Sequence, residues 1–483
     1  VRRALVPAIA VLAAAACSDS SPVAPSRIAP SENASQSLFS SGTVVVSNTN
    51  DDGAGSFRKA IETANGNTSI KRIEFLPRLS TIKLASTVAY TGAQELSIDG
   101  NGTTIDGSTL PANATAFLAN GGGNLSLMSL TVRKAPAEGV TVQVPASRTG
   151  TIKVTMLDLQ ILDNKGHGVL VNDQVDQSTT DGVQPNADGS AASVEVIVTA
   201  CKFARNGFSV SDRDGLRVNE GGVGSLTFTM SLSQSEGNAA DGVELDERGV
   251  GDVVFTMVGT QLTKNGIFDP ADLDDGFDVD EYNEGNLVGK LVLTTSSDNY
   301  EEGFDFNENN AGDMTIEMSL VEANRNGEEG IDLEEDDDFE GGGNLVATMS
   351  AVKANGNKAG DAGVKIREKG VGDANIKLAL VEASNNLTTG IQVREGQAGN
   401  LVSSIEWSTT NGNTGHGIDH QESSDGDLSG TVSNTTSSGN TGAGVNADES
   451  GAGVGAVSLV KVKFGAGNTG GNTKGSATFT VTP

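Results

Sequence analysis

Aromatic residues make up only 4% of this 483-residue chain, with one tryptophan, three tyrosines and fifteen phenylalanines. Large rings normally anchor a thick globular core, so their scarcity points to a thin aliphatic one. Two cysteines and three histidines, with no CxxC pair and no His/Cys cluster, exclude a disulfide framework and a structural zinc centre. Cys201 lies in a strand-like run, Val194 to Phe203, and reads as a buried free thiol. His167, His416 and His420 form no constellation, and the last two, which flank Gly417, read as corner surface residues. Cations are scarce too: 32 Lys and Arg against 63 Asp and Glu leave a net charge of −31. Nucleic acid is a poor partner for such a surface, because phosphate binding needs the opposite sign. Runs of helix formers are missing, and 62 glycines would each cost a helix interior about 1 kcal/mol.

What is present is a repeat. Gly215, Gly242, Gly276, Gly303, Gly330, Gly363, Gly390, Gly417 and Gly444 each open the pattern Gly-x-x-x-x-Glu, at intervals of 27, 34, 27, 27, 33, 27, 27 and 27 residues. A fixed period of this size marks a solenoid whose coils stack on copies of themselves. Val243 and Leu245 alternate with polar residues, as do Leu226, Phe228 and Met230, and Met314, Ile316 and Met318. That period-2 pattern is a strand with one buried face. A second glycine follows the anchor by nine residues: Gly224, Gly251, Gly285, Gly312, Gly372, Gly399, Gly426 and Gly453, shifted to Gly343 in one coil. Glycines suit corners, where positive φ costs them nothing. Asn164, Asn238, Asn299, Asn326, Asn386, Asn413 and Asn440 precede their anchors by four residues and predict a ladder of stacked amides.

The fold expected is all-β, a right-handed parallel β-helix of ~27-residue coils. Between about residues 42 and 475 there is room for roughly 16 coils, or ~75 Å of rod at ~4.8 Å per coil. Insertions fall at corners: Asp173 to Ser190 and Asp336 to Glu340 after the first strand, and Phe208 to Arg213, Ile267 to Asp272 and Lys358 to Asp361 before the anchor. Loops on the rim of a rigid solenoid are where function often sits.

The N-terminal end reads as an export signal. Arg2 and Arg3 precede an apolar run from Ala4 to Ala16, too short for a stable membrane span. It ends in Leu-Ala-Ala-Ala-Ala-Cys, with Cys17 followed by Ser18 and Asp19. This is similar to a bacterial lipobox, with Ala14 where leucine is common. Lipidation of Cys17 and ordinary cleavage after Ala16 are the two readings. The expected organisation is a signal peptide over 1–17, a Ser/Pro-rich tether over 18–41, a strand and capping helix over 42–66, the β-helix over 67–475 and a terminal strand over 476–483.

Residues 44–65, Val-Val-Val-Ser-Asn-Thr-Asn-Asp-Asp-Gly-Ala-Gly-Ser-Phe-Arg-Lys-Ala-Ile-Glu-Thr-Ala-Asn, closely resemble the N-terminal segment of secreted bacterial right-handed parallel β-helix proteins, including the polymorphic outer-membrane type. The resemblance implies a strand, a glycine turn and a short helix capping the open end of the core. The residues agree: Ser56 is an N-cap candidate, and Phe57, Ala60, Ile61 and Ala64 form one apolar helical face. Leu96 to Gly107 and Asn124 to Val132 look like early coils of pectate-lyase-like β-helices. Such proteins often use outward carboxylates, Ca²⁺ and an Arg or Lys base, and the family likeness therefore brings a polysaccharide lyase or glycoside hydrolase into view.

Between Glu236 and Glu340 stand 31 acidic and 4 basic residues. The repeat glutamates Glu220, Glu247, Glu281, Glu308, Glu335, Glu368, Glu395, Glu422 and Glu449 stack in one column. Carboxylates ~5 Å apart repel by about 1 kcal/mol in water and several times that at lower dielectric, so the column is expected to be solvated, splayed or cation-bound. Beside it an outward column reads Asp278, Asp305, Asp332, Lys365. Hard oxygen donors at this density suit Ca²⁺, with Glu281, Glu308, Glu335, Asp278, Asp305 and Asp332 as candidate ligands; a solvated acidic surface is the plainer alternative. As catalytic candidates, Asp278, Asp305, Asp332 and Lys365 are weak, because they recur with the repeat, and sugar-stacking aromatics are limited to Tyr282, Tyr300 and Trp407. The expectation is an exported surface protein, attached to the membrane through lipid alone or else secreted. Its role is binding, adhesion or structure, with a polysaccharide or matrix component as partner; a carbohydrate-active enzyme is the alternative.

Overall fold

The computed structural model describes residues 42–174, 189–270, 273–336 and 342–483. The export signal, Cys17 and the tether lie outside the described residues, as do most of the Asp173–Ser190 and Asp336–Glu340 insertions. Every paired strand is parallel to its neighbours. Sixteen successive strands, from Thr43–Val46 through Leu226–Ser231 and Met314–Ser319 to Thr478–Thr482, pair rung upon rung along one face. A second sheet of 14 strands, from Val88–Tyr90 to Thr473–Lys474, carries the Gly-x-x-x-x-Glu segments. Short strands such as Gln234–Glu236 and Gln261–Thr263 form a third face. Parallel strands joined by coil-long crossovers are right-handed in nearly all proteins, and the fold is a right-handed parallel β-helix.

The first coil is closed by the helix Phe57–Gly66. The Ser56 hydroxyl accepts a hydrogen bond from the Lys59 N–H at 3.1 Å, and Phe57, Ala60, Ile61 and Ala64 are buried. Phe57 packs against Phe75, with ring centroids 5.2 Å apart. Covering the open end removes apolar core and strand edge from water. Inside the rod each alternating residue stacks on its counterpart one coil away, as Phe228 does on Phe255 and Met230 on Met257. Cys201 is buried within this core, and burial pushes its thiol up to about 11.

The asparagine ladder has more rungs than constant spacing indicates. Asn164, Asn206, Asn238, Asn265, Asn299, Asn326, Asn357, Asn386, Asn413, Asn440 and Asn468 follow one another, each side-chain oxygen accepting the backbone N–H of the preceding ladder residue. Side-chain amides also donate up the stack at about 3.0–3.3 Å, as from Asn238 to Asn265. Asn206, Asn265 and Asn357 escape the four-residue rule because insertions separate them from their anchors.

Positive φ does not explain the anchor glycines. None of the nine has it; the left-handed corners instead hold residues such as Leu232, Lys264, Asp298, Leu320 and Trp407. The anchors are glycine because the next coil comes too close for a Cβ. A Cβ on Gly242 would stand 2.5 Å from the Gly276 carbonyl oxygen and 2.7 Å from the Asn265 amide nitrogen. The second glycines are tighter still, with 1.6 Å from Gly251 to the Gly224 oxygen.

Candidate functional site

The repeat glutamates end their strands with the carboxyl turned inward. Glu220, Glu247, Glu281, Glu308, Glu335, Glu368, Glu395 and Glu422 are buried, contrary to the expected solvated or splayed column. One oxygen of most of them accepts the backbone N–H two residues on, as from Gly222, Gly249, Gln397 and Ser424 at 2.9–3.0 Å. The other oxygen is buried without a donor in Glu220, Glu247, Glu281, Glu335, Glu395 and Glu422. Register places each carboxyl beside the next. A proton shared between neighbours would satisfy such oxygens. Burial, followed by interactions with adjoining carboxyls, pushes Glu220 up to about 9, Glu281 to about 12 and Glu368 to about 10; burial, opposed by the hydrogen bond with Glu281 and aided by Glu335, pushes Glu308 to about 8.

An exposed ladder near the second glycines provides a contrast. There Asp252, Asn286, Asp313, Asn344, Asp373, Asn400 and Asp427 alternate, so every carboxylate faces an amide, with Asn286 donating to Asp252 at 2.8 Å and Asn400 to Asp373 at 2.9 Å. Charge is tolerated where amides alternate with it. The uniform glutamate column has no such alternation.

The carboxyls whose oxygens cluster closely enough to share a cation lie elsewhere on the same sheet. One column stands immediately before the anchors: Asp214, Asp241, Asp275, Glu302 and Glu329. Each of the first three carboxylates accepts the backbone N–H of the next residue in the column, Asp241 from Asp275 at 2.5 Å and Asp275 from Glu302 at 2.6 Å. This column was not anticipated, although an acidic residue before five successive anchors was its signal. The second column faces outward two residues after the anchors and reads Arg217, Glu244, Asp278, Asp305, Asp332, Lys365. Carboxylate oxygens come within 4.8 Å of one another in the sets Asp241–Glu244–Asp278, Asp275–Asp278–Asp305 and Asp275–Glu301–Glu302. Among the described residues, Glu281, Glu308, Glu335 and Asp332 belong to no such set.

Cations of the chain itself close both ends of this second column. Buried Arg217 meets Glu244 at 2.5 Å and Asp246 at 2.8 Å, and also binds Asp212. Lys365 meets Asp332 and Glu334, each at 2.6 Å, and Arg367 and Lys369 also bind Glu334. Between them stand Asp278 and Asp305, each with one oxygen buried and unpartnered. Burial, then repulsion from Asp280, pushes Asp305 up to about 7; burial and the charges of Asp280, Asp241 and Asp305 raise Asp278 well above the carboxylate range. The arrangement favours a proton or a cation in the gap. The donor set is all oxygen and hard, which fits Ca²⁺.

The remaining catalytic candidate is engaged. Burial pulls Lys365 down, but Asp332 and Glu334 outweigh it and hold the ammonium charged. His420 is not a corner surface residue: it points into the core between Val393 and Ala447, and burial lowers it to about 4. His416 and His167 each use Nδ1 to accept a backbone N–H, from Ala443 at 2.8 Å and Asp214 at 3.0 Å. Tyr282 donates to Asp280 and lies under Arg248, whereas Tyr300 and Trp407 are exposed.

The strand pairing of the chain itself defines its class, the parallel β-helix proteins. Among solved structures, a pectate lyase, Pel9A, aligns over 67% of this chain and 78% of its own at 16% identity, with a TM-score of 0.42. The periplasmic alginate epimerase AlgG aligns over 89% of both chains at 11% identity and a TM-score of 0.37. The A-module of the Azotobacter vinelandii mannuronan C-5 epimerase AlgE6 covers 88% of this chain and 94% of its own at 10% identity, with a TM-score of 0.35. No protein-family model matches the chain, and no curated protein does.

Proposed function

We propose that this protein is a non-catalytic binding rod that holds Ca²⁺ on its acidic face and engages a polysaccharide there. The observation that carries the reading is the outward column with its two ends neutralised and its middle open. Arg217 and Lys365 show what the carboxylates at the ends require; Asp278 and Asp305, with Asp275 between coils, require the same from outside the chain. Ca²⁺ takes six to eight oxygens at roughly 2.3–2.6 Å, so the carboxylates leave positions for water or sugar hydroxyls. A lyase needs a free base beside its bound sugar, and Lys365 is ion-paired. Glu281, Glu308 and Glu335 hold protons in this reading and take no part in cation binding.

The proposal includes export and attachment through lipid on Cys17. Mass spectrometry of the mature N-terminus would find a diacylglyceryl-cysteine; a chain starting at an unmodified Cys17 would remove the anchor and leave a secreted rod. For the binding role, the protein is titrated against an oligosaccharide panel with Ca²⁺ and with EDTA. Binding that Ca²⁺ strengthens, with the Ca²⁺-dependent part lost in D278N/D305N, supports the reading; turnover of a polysaccharide by the wild type would overturn it.

A further inference from the structure

A concave site lies at a corner of the coils and has a charge opposite to that of the acidic face. Gly237, Lys264, Asp298 and Arg325 occupy successive left-handed corner positions, with φ of 63°, 59°, 62° and 61°. Each is followed directly by a rung of the asparagine ladder, Asn238, Asn265, Asn299 and Asn326, so the ladder braces the corner from within. Outside it is a cleft of about 540 Å³ lined by Lys264, Arg325, Lys358, Asp298, Tyr300 and Ile267. Gly237 contributes no side chain at one end and leaves the space beside Lys264 open.

The charges in this cleft are unusual for the chain. The segment from Glu236 to Glu340 has only four basic residues, and two of them, Lys264 and Arg325, face this cleft, joined by Lys358 from the next coil. Arg325 is fixed by a two-point pair with Asp298, Nε and Nη2 each 2.8 Å from a carboxylate oxygen. Among the described residues Lys264 and Lys358 have no ion-pair partner. The Asp298 carboxyl reports their convergence: its hydrogen bond to Arg325 holds it below the usual range, and the charges of Arg325, Lys264 and Lys358 add to this against a smaller opposing effect of burial. Tyr300 stands exposed in the lining, its hydroxyl without a hydrogen bond among the described residues, next to the exposed Ile267. An aromatic face beside unpaired ammonium groups suits a ring with an apolar C–H face and an anionic substituent.

We propose that this cleft is a Ca²⁺-independent subsite for an anionic sugar residue, a pyranose bearing a carboxylate or sulfate, whose ring stacks on Tyr300 and whose anion meets Lys264 and Lys358. The inference rests on the polysaccharide-binding reading above and adds the sign of the ligand. A free negative charge is repelled by the acidic face and attracted here, so a polysaccharide is held by different means at the two places: through Ca²⁺ on the acidic face and directly at the corner.

The test is titration of the full chain with uronate-containing, sulfated and neutral oligosaccharides of equal length, with Ca²⁺ and with EDTA. Exposed ion pairs contribute modestly, so K264A/K358A is expected to weaken binding of acidic oligosaccharides about tenfold. Y300A should weaken it about fivefold, Y300F should leave it unchanged, and binding by the double lysine variant should lose most of its salt dependence. The uronate and sulfate arms show which anion is preferred. Wild-type affinity in both K264A/K358A and Y300A, or equal affinity for neutral oligosaccharides, overturns the cleft. Loss of binding in EDTA with no effect of these variants overturns the cleft and leaves the Ca²⁺ reading intact; no binding to any oligosaccharide overturns both.

Discussion

The buried glutamate column predicts a pH dependence of stability opposite to that of most acidic proteins. In the folded chain Glu220, Glu281, Glu308 and Glu368 keep their protons to about pH 9, 12, 8 and 10, against 4.5 for an ordinary glutamate. Between these limits the native state binds protons that the unfolded chain has released. Stability from these groups is therefore complete below pH 4.5 and declines as pH rises toward each folded value. One such group costs about 1.4 kcal/mol per pH unit, or roughly 4 kcal/mol between pH 5 and pH 8. The assay is chemical denaturation in EDTA at pH 5, 6, 7 and 8, with proton release measured on unfolding. Stability should fall across the series, with several protons released at pH 7. E281Q offers an amide that can donate within the stack but cannot ionise. It should match the wild type near pH 5 and exceed it by up to about 4 kcal/mol at pH 8. Stability that rises from pH 5 to 8, or an E281Q variant equally destabilised at every pH, would refute the shared-proton ladder.

Other consequences are local. G242A forces a Cβ to within 2.5 Å of the Gly276 carbonyl oxygen and should lower the unfolding free energy, read by urea denaturation, by about 2 kcal/mol or more, although the backbone there lies outside the left-handed region. N299A leaves Asn265 and Asn326 without their side-chain partners and should cost about 1–3 kcal/mol, read by urea denaturation at pH 5. R217M leaves Glu244 buried without its cation and Asp246 held by Arg248 alone, and should cost about 3–5 kcal/mol without Ca²⁺, a loss that Ca²⁺ partly restores in thermal melts. K365M frees Asp332 next to Asp305 and should strengthen Ca²⁺ binding in calorimetry.

Much of the architecture was legible because it repeats. The 27-residue ruler and the alternating Leu, Phe and Met positions place the strands and the core, and the Ser56 to Ala64 pattern places the cap. What the ruler hides is offset. Asn206, Asn265 and Asn357 belong to the ladder, but loops of varied length separate them from Gly215, Gly276 and Gly363. His420 flanks an anchor in sequence, yet three residues after Gly417 the strand turns its side chain inward. The burial of the glutamates was hidden because a charge count assumes ionised groups in water; a carboxyl that accepts a backbone N–H and adjoins its own copy can be buried as an acid. The register of Asp278 and Asp305 is legible from their column, whereas Asp275 and Glu302, one residue before their anchors, become visible as partners only when coils are stacked.

The central claim is that the two acidic columns do different work, one closed by protons and one open to cations. Ca²⁺ binding by equilibrium dialysis at pH 7.5 tests it directly on the wild type, D278N/D305N and E281Q/E308Q. Loss of bound Ca²⁺ in D278N/D305N with full retention in E281Q/E308Q is the predicted result; retention in the aspartate variant with loss in the glutamate variant would contradict it.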